Sequence, residues 1–119
     1  MPSSKIETEI VEDMKRLGAT ARSVTPEDVD NEILAETFHR FPGTTVCVCC
    51  LTLRNGFTVL GDAAAASPEN YREEIAHKIS RAKAREKIWP LLGFRLRDRL
   101  TAEADKSDFS TTMENRDGE

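Results

Sequence analysis

The pattern of apolar and polar positions predicts a β-hairpin near the middle of the chain. Within residues 44–62, two apolar, β-branched runs flank an Asn55-Gly56 pair, which is the strongest short-range hairpin signal. A two-residue turn at this pair would place Leu51 opposite Leu60, and side chains would then alternate between two apolar faces. One face would carry Val46, Val48 and Val59, and the other Cys47, Cys49, Leu51, Leu53 and Leu60. We expect helices or a second subunit to cover both faces, because a lone hairpin is marginal in water.

Apolar residues at helical spacing predict two helices before the hairpin. The first lies in residues 5–17, and its apolar stripe would consist of Ile6, Ile10, Met14 and Leu17. The second begins after Thr25, where a capping hydroxyl, a proline and early acidic residues satisfy free backbone amides. Its predicted buried stripe consists of Val29, Ile33, Leu34 and Phe38. The Phe41-Pro42-Gly43 sequence then ends helical structure.

A longer helix is predicted in the C-terminal half. It begins at Ser67 and Pro68, a second cap with a proline at the first helical position, and should run to about Trp89. One of its faces would carry Tyr71, Ile75, Ile79, Ala82 and Trp89. Pro90 lacks a backbone N–H, so we expect the helix to break near it. Leucines at positions 92, 96 and 100 predict a short terminal helix, and the acidic, aperiodic remainder is predicted to be disordered.

These elements predict a small α+β protein, with N-terminal helices, a central antiparallel β-hairpin with an Asn-Gly turn, and a long C-terminal helix broken near Pro90. We divide the chain into an N-terminal helix and linker at 1–24, a hairpin-plus-helix core domain at 25–100, and a disordered acidic tail at 101–119. A domain of this size buries only about 60–70% of its unfolded surface. Since oligomerisation commonly supplies further stability, we expect a homo-oligomer.

The three cysteines lie within four positions, at Cys47, Cys49 and Cys50. An odd number at this spacing is not a disulfide framework and favours a reducing cytoplasm. The first two would point to one face of the strand and the third to the other, so they cannot converge on one ion. We therefore expect core packing, with a metal site as the alternative, and no cofactor. No apolar run is long enough for a membrane span, and no signal peptide is predicted.

The net charge of −4 conceals an uneven distribution. Both ends of the chain are acidic, whereas residues 78–99 carry eight bases against only Glu86 and Asp98. The bases are Lys78, Arg81, Lys83, Arg85, Lys87, Arg95, Arg97 and Arg99. Such a segment can attract an anionic partner, although a charged helix face is often simply solvated.

Aromatic residues near the bases suggest how a nucleobase would be held. Trp89 lies inside the basic segment and can stack on a base. At the hairpin turn, Asn55 and Phe57 can read a base edge and stack, if an oligomer brings the turn against a neighbour's arginines; core packing of Phe57 is the alternative. The candidate ligand-binding residues are Arg54, Asn55, Phe57, Lys78, Arg81, Arg85, Trp89, Arg95 and Arg97. No set of nucleophile, base and orienting group is recognisable, so we predict no enzyme and no catalytic residue.

Four short motifs resemble a known family. They are Thr44-Thr45-Val46-Cys47, the LTLRNGF sequence of residues 51–57, Ser67-Pro68-Glu69-Asn70, and residues 84–90 with Gly93. Together they resemble the phage gene product 49/66 family of small proteins encoded by tailed phages and prophages, over roughly residues 31–96. The resemblance implies a phage gene among accessory loci that act on the host, and hence a protein of the host cell cytoplasm. It carries over no activity and no catalytic residue.

Three functions are compatible with these observations. The first is a non-catalytic phage accessory protein that binds or sequesters a small phosphorylated ligand, such as a signalling nucleotide, in an oligomer and counters host defence. The alternative is a module that binds nucleic acid or a host protein through the basic segment 78–99, although the acidic pI of about 5.3 makes nucleic acid the weaker prediction. The third is an adaptor that works through its acidic tail and first helices.

Overall fold

The computed structural model describes residues 5–19 and 21–117, with side chains through residue 106. Within these residues, four helices and a three-stranded sheet form the fold. The helices are α1 at Lys5–Arg16, α2 at Pro26–Glu32, α3 at Glu73–Glu86 and α4 at Ile88–Asp117, and the strands are β1 at Ile33–Arg40, β2 at Val46–Leu53 and β3 at Thr58–Ala64. No helix among these residues is both long and apolar enough to cross a membrane.

The strands form an antiparallel sheet in the order β1-β2-β3, which confirms the predicted α+β class. Every second residue of β2 is buried, because α3 and the beginning of α4 pack against one face of the sheet. The core on this face consists of Val29, Cys49, Leu51, Leu53, Val59, Ala84, Ile88 and Leu92. The opposite face includes Leu60, which is half exposed, so the residues that the structure describes leave this face partly uncovered.

The predicted second helix is too long, because its C-terminal part forms the first strand of the sheet. The capping box at Thr25 and Asp28 is present, but α2 ends at Glu32 and the chain continues as β1. Ile33 and Phe38, predicted on a helical stripe, pair instead with Leu53 and Cys49 of β2. The apolar residues of this segment are compatible with a helix or a strand. It forms a strand because its backbone pairs with β2.

The hairpin register also differs from the predicted one. Gly56 N–H donates to the Leu53 carbonyl at 2.9 Å, and Leu53 N–H donates to the Phe57 carbonyl at 2.8 Å. The loop therefore has three residues, with Gly56 at a φ of +89°, as in a type I turn that ends in a glycine bulge. Leu51 consequently pairs with Val59 rather than Leu60. This shift of one residue exchanges the faces of β3, so Val59 is buried and Leu60 is not.

The break between α3 and α4 occurs at Lys87, close to the predicted position. Pro90 has no N–H to donate to the Glu86 carbonyl, so α3 cannot continue through this point. The start of α3 was predicted too early, since Pro68–Asn70 forms a 3-10 turn and Ser67 makes no capping bond to the backbone. Helical backbone extends from Leu100 through Asp117, into the segment where the sequence suggests disorder.

α3 approaches β3 closely because its inward face carries small residues. Ala76, Ser80 and Ala84 are buried against the sheet. A Cβ added to Gly61 of β3 would lie 2.1 Å from the Ser80 carbonyl oxygen and 2.3 Å from the Ala84 nitrogen. Ile75 and Ile79 of the same helix point away from this contact and are exposed. The apolar face that the sequence suggests for this helix is therefore not its buried face.

The apolar stripe predicted for α1 is likewise mostly exposed. Ile6, Ile10 and Leu17 are all more than half exposed, whereas the acidic Glu7 is buried. The reason is an ion pair: the Glu7 carboxylate accepts hydrogen bonds from Arg85 and Trp89. A polar contact with the body of the protein thus decides which side of this helix faces inward.

Candidate functional site

Arg85 lies in the interior rather than on a binding surface. Its Nη1 donates to Glu7 Oε2 at 2.7 Å, and its Nε donates to Asp30 Oδ1 at 2.8 Å. Burial disfavours the charged form, but the hydrogen bonds that the guanidinium donates to these two carboxylates outweigh it, so the pKa of Arg85 is raised above its usual value. Trp89 shares this network through its bond to Glu7. Arg85 therefore holds α1 and α2 against α3, and Trp89 holds α1 against the beginning of α4.

Lys78 and Arg81 lie on a different side of α3. Arg81 Nε donates to Glu36 Oε2 of β1 at 2.6 Å, beside a stacked pair of Phe38 and His77 rings whose centroids are 3.9 Å apart. Lys78 is exposed and lies 4.0 Å from Glu74, one turn earlier. The candidate bases are thus distributed over separate parts of the molecule.

Two of the candidate residues, Arg54 and Arg95, meet in a cleft that we call the arginine cleft. It has a volume of about 380 Å³ and lies between the loop before α2, the hairpin turn and α4. Its lining residues are Arg22, Ser23, Val24, Asp28, Asn31, Glu32, Arg54, Leu92, Arg95, Leu96 and Arg99. Four arginines and two acidic residues therefore line this space.

Glu32 lines the arginine cleft and is paired with Arg95. Both of its carboxylate oxygens accept hydrogen bonds from Arg95, at 2.8 and 3.2 Å. The pKa of Glu32 is lowered below 4.5, first by these hydrogen bonds and then, against partial burial, by the charges of Arg95, Arg54 and Arg99. Asp28 is engaged in the α2 capping box, where it accepts from Thr25 N–H.

The remaining arginines have hydrogen-bonding capacity left. Arg54 Nε donates to the Asn31 carbonyl, which holds the side chain in the cleft, and no described residue accepts from its two terminal nitrogens. Arg99 forms no hydrogen bond or ion pair with any residue whose side chain the structure describes. Arg22 pairs with Glu103 at 2.8 Å, with both side chains more than half exposed. Arg54 and Arg99, which both line the cleft, therefore have N–H groups without an acceptor among the described side chains.

The other candidate residues do not line the arginine cleft. Asn55 is part of the hairpin turn, where its side-chain oxygen accepts from Phe57 N–H. Phe57 is exposed, and so is Arg97 on α4. Arg22 and Arg99 line the cleft but are not among the residues predicted from the sequence. Arg99 belongs to the basic segment 78–99 and could have been chosen on that ground, whereas no local pattern distinguishes Arg22.

The cysteines pack as small apolar side chains. Cys47 and Cys49 are buried under α3, and Cys50 faces the other side of the sheet. Burial, together with the negative charge of Glu36, raises the pKa of Cys49 to about 11. Among the described residues, no three His, Cys, Asp or Glu side chains are grouped so that they could hold a metal ion.

Comparison with known proteins identifies a family. A family model described as the Phage protein (N4 Gp49/phage Sf6 gene 66) family matches residues 24–100. This range contains the sheet, α2, α3 and all residues of the arginine cleft except Arg22 and Ser23. No curated protein and no solved structure matches the chain.

Proposed function

The chain belongs to the Phage protein (N4 Gp49/phage Sf6 gene 66) family, and from this premise we propose that it is a non-catalytic phage accessory protein that binds a small phosphorylated ligand. The ligand class is a signalling nucleotide of the host, bound by an oligomer of the chain. By sequestering such a nucleotide, the protein would counter a host defence response in the host cytoplasm. The arginine cleft is the proposed binding site.

One observation supports this proposal above the others: four arginines line one cleft, and two of them, Arg54 and Arg99, have N–H groups without an acceptor among the described side chains. Guanidinium groups bind phosphate through paired, charge-assisted hydrogen bonds. The ion pair with Glu32 fixes the position of the Arg95 side chain at one side of the cleft. Val24, Leu92 and Leu96 supply apolar surface for the ring of a nucleoside.

The binding of nucleic acid through residues 78–99 has less support. Within that segment Arg81, Arg85 and Arg95 are each paired with a carboxylate of the same chain. Lys78, Lys83, Lys87, Arg97 and Arg99 remain exposed. Titration with salt separates the two functions, because long nucleic acid releases many counterions and loses affinity steeply, whereas a small ligand shows a shallow dependence.

The test is calorimetric titration of the full chain with cyclic dinucleotides, cyclic trinucleotides and cyclic ADP-ribose isomers. We expect at least one of these probes to bind more tightly than about millimolar, and Arg99→Gln to weaken it by about ten- to a hundredfold through loss of charge-assisted hydrogen bonds. Arg97→Gln is the matched control: both arginines are exposed on α4, and only Arg99 lines the cleft. Failure of every probe to bind, or equal losses in the two variants, would refute the proposal.

The role in the host requires a separate measurement. Expression of the chain should restore phage growth in a host whose defence depends on the bound nucleotide, and the Arg99→Gln variant should restore it less. If the nucleotide binds in vitro but neither version protects the phage, sequestration as counter-defence is wrong while ligand binding stands.

A further inference from the structure

The two edges of the sheet differ in how well they are protected against pairing. β1 has a bulge between Ile33 and Ala35 and carries Glu36, His39 and Arg40. Charged residues and bulges are the features that prevent unwanted pairing of an edge strand. β3, at the other edge, has a regular register with β2, no proline or lysine, and Asp62 as its one charge. Its free edge is therefore open to another strand.

The free edge of β3 presents backbone groups in a regular pattern. Leu53 N–H donates to the Phe57 carbonyl, and hydrogen-bonded pairs in an antiparallel ladder recur at every second residue. The odd-numbered residues of β3 therefore bond to β2. The N–H and C=O groups of Thr58, Leu60, Asp62 and Ala64 point away from the sheet.

An exposed aromatic ring and an exposed apolar groove lie at opposite ends of this edge. Phe57 is 56% exposed and is paired with Leu53, so it lies on the helix-bearing side of the sheet. Near the other end, Ala63, Ala65, Ile75 and Ile79 line a groove of about 150 Å³. Ile75 and Ile79 are 55% and 44% exposed. A space of about 150 Å³ accommodates a benzene-sized ring.

We propose that a second copy of this chain pairs with β3 in antiparallel fashion about a two-fold axis at Leu60, with Phe57 of each copy seated in the apolar groove of the other. In this register Leu60 lies opposite Leu60 of the second copy, and Asp62 lies opposite Thr58. Phe57 lies opposite Ala63, on the side that carries the groove. An axis at Asp62 would instead oppose two carboxylates, which is unfavourable.

Charges along the seam between α3 and β3 complement a second copy. Asp62, Glu86, Lys83 and Lys87 line a shallow cleft beside Gly61, at the level of the proposed axis. Asp62 is an even-numbered residue of β3, so its side chain lies on the open face of the sheet with Leu60, whereas Lys83 and Glu86 of α3, and Lys87 at the C-cap of that helix, belong to the other face. The α3 side of the cleft therefore carries charges of both signs, and a two-fold interface, in which one surface meets itself, can pair them. The result is a continuous six-stranded sheet with no free β3 edge.

Analytical ultracentrifugation of the full chain over a wide dilution series tests this interface. The wild type should sediment as a dimer of the 13.3 kDa chain. Because a central aromatic anchor contributes a large share of interface energy, and each dimer contains two, Phe57→Ser should raise the dissociation constant at least about a hundredfold. Phe94→Ser, at an exposed aromatic of α4, should leave it unchanged. A wild type that is monomeric throughout overturns the proposal.

A second pair of variants distinguishes the two edges of the sheet. Leu60→Lys would set two ammonium groups opposite each other at the axis and should dissociate the dimer, whereas Leu34→Lys on β1 should not. Both leucines are more than half exposed, so each folded monomer should keep the circular dichroism of the wild type. A dimer that survives Leu60→Lys, or dissociates equally with Leu34→Lys, contradicts β3 pairing. The arginine cleft does not include Phe57 or Leu60, so loss of the dimer and loss of nucleotide binding are separate outcomes.

Discussion

Arg85 and Glu7 form an ion pair of 2.7 Å although 78 positions separate them in the chain. Among the described residues it is the pair with the least exposed side chains, 9% and 10%. Asp30 and the Pro26 carbonyl complete the set of acceptors around the guanidinium. One side chain of α3 thus determines where α1 and α2 lie.

Removing the guanidinium should therefore destabilise the protein strongly. In Arg85→Met the carboxylates of Glu7 and Asp30 would stay in the interior without their cation, and loss of one partner from a buried pair costs about 3–5 kcal/mol. Arg16→Met, which breaks the exposed pair with Asp13, should cost less than about 1 kcal/mol. Urea unfolding of both variants measures the difference. Equal and small losses would show that the pair does not hold α1 in place.

The contact between β3 and α3 should not tolerate a methyl group at Gly61. An alanine Cβ there would collide with the backbone of Ser80 and Ala84, and forced overpacking costs about 1–3 kcal/mol or more. Gly93→Ala is the control, because an added Cβ meets nothing within 4 Å at this helical position. That variant should be more stable than the wild type by about 0.5–1 kcal/mol, the difference between alanine and glycine in a helix. Thermal unfolding of the two variants should show shifts of opposite sign.

The Glu32–Arg95 pair makes stability depend on pH in the acid range. The folded state lowers the pKa of Glu32 below 4.5, so the unfolded chain takes up the proton first as the pH falls. The contribution of this group is complete above about pH 4.5 and is lost as the pH falls through its folded pKa.

Glu32→Gln removes this contribution and is the variant that measures it. At pH 7 it should lower the free energy of unfolding by about 1 kcal/mol, since Arg95 is partly exposed. The difference from the wild type should shrink below pH 4.5 in urea titrations at a series of pH values. Glu74→Gln, at an exposed position, should show no such dependence. A difference that stays constant down to pH 3 would rule out a depressed pKa.

The three thiols should react at different rates in the folded protein. Cys49 is buried and its pKa is raised to about 11, so it holds little thiolate at pH 8 and should alkylate slowly. Cys50 is partly exposed on the open face of the sheet and should react first. Mass spectrometry of peptides after brief treatment with iodoacetamide gives the order. In guanidinium chloride all three should react alike; faster modification of Cys49 than of Cys50 in the native state would contradict the fold.

The sequence predicted those features that depend on neighbouring residues. A capping hydroxyl, a proline and an acid within four positions indicated the start of α2 at Thr25. The missing N–H of Pro90 indicated the break before α4. Turn chemistry placed the hairpin correctly, but its loop length depends on hydrogen bonds of Leu53 and Gly56 that composition does not specify. The register of β3, and with it the burial of Val59 and Leu60, was therefore predicted wrongly.

For the candidate site, too, the sequence predicted the local feature but not the long-range contacts. The chain by itself determined that bases are concentrated in residues 78–99, and its motifs indicated the phage family that the model match confirms. Only the tertiary structure decided which bases are available, because the partners of Arg81, Arg85 and Arg95 are at least 45 positions away in sequence. Residues 33–40 likewise form a strand, and not the predicted helix, because they pair with β2. Local patterns encode caps, turns and breaks, whereas strand pairing and ion pairs over long separations depend on which segments the folded chain brings together.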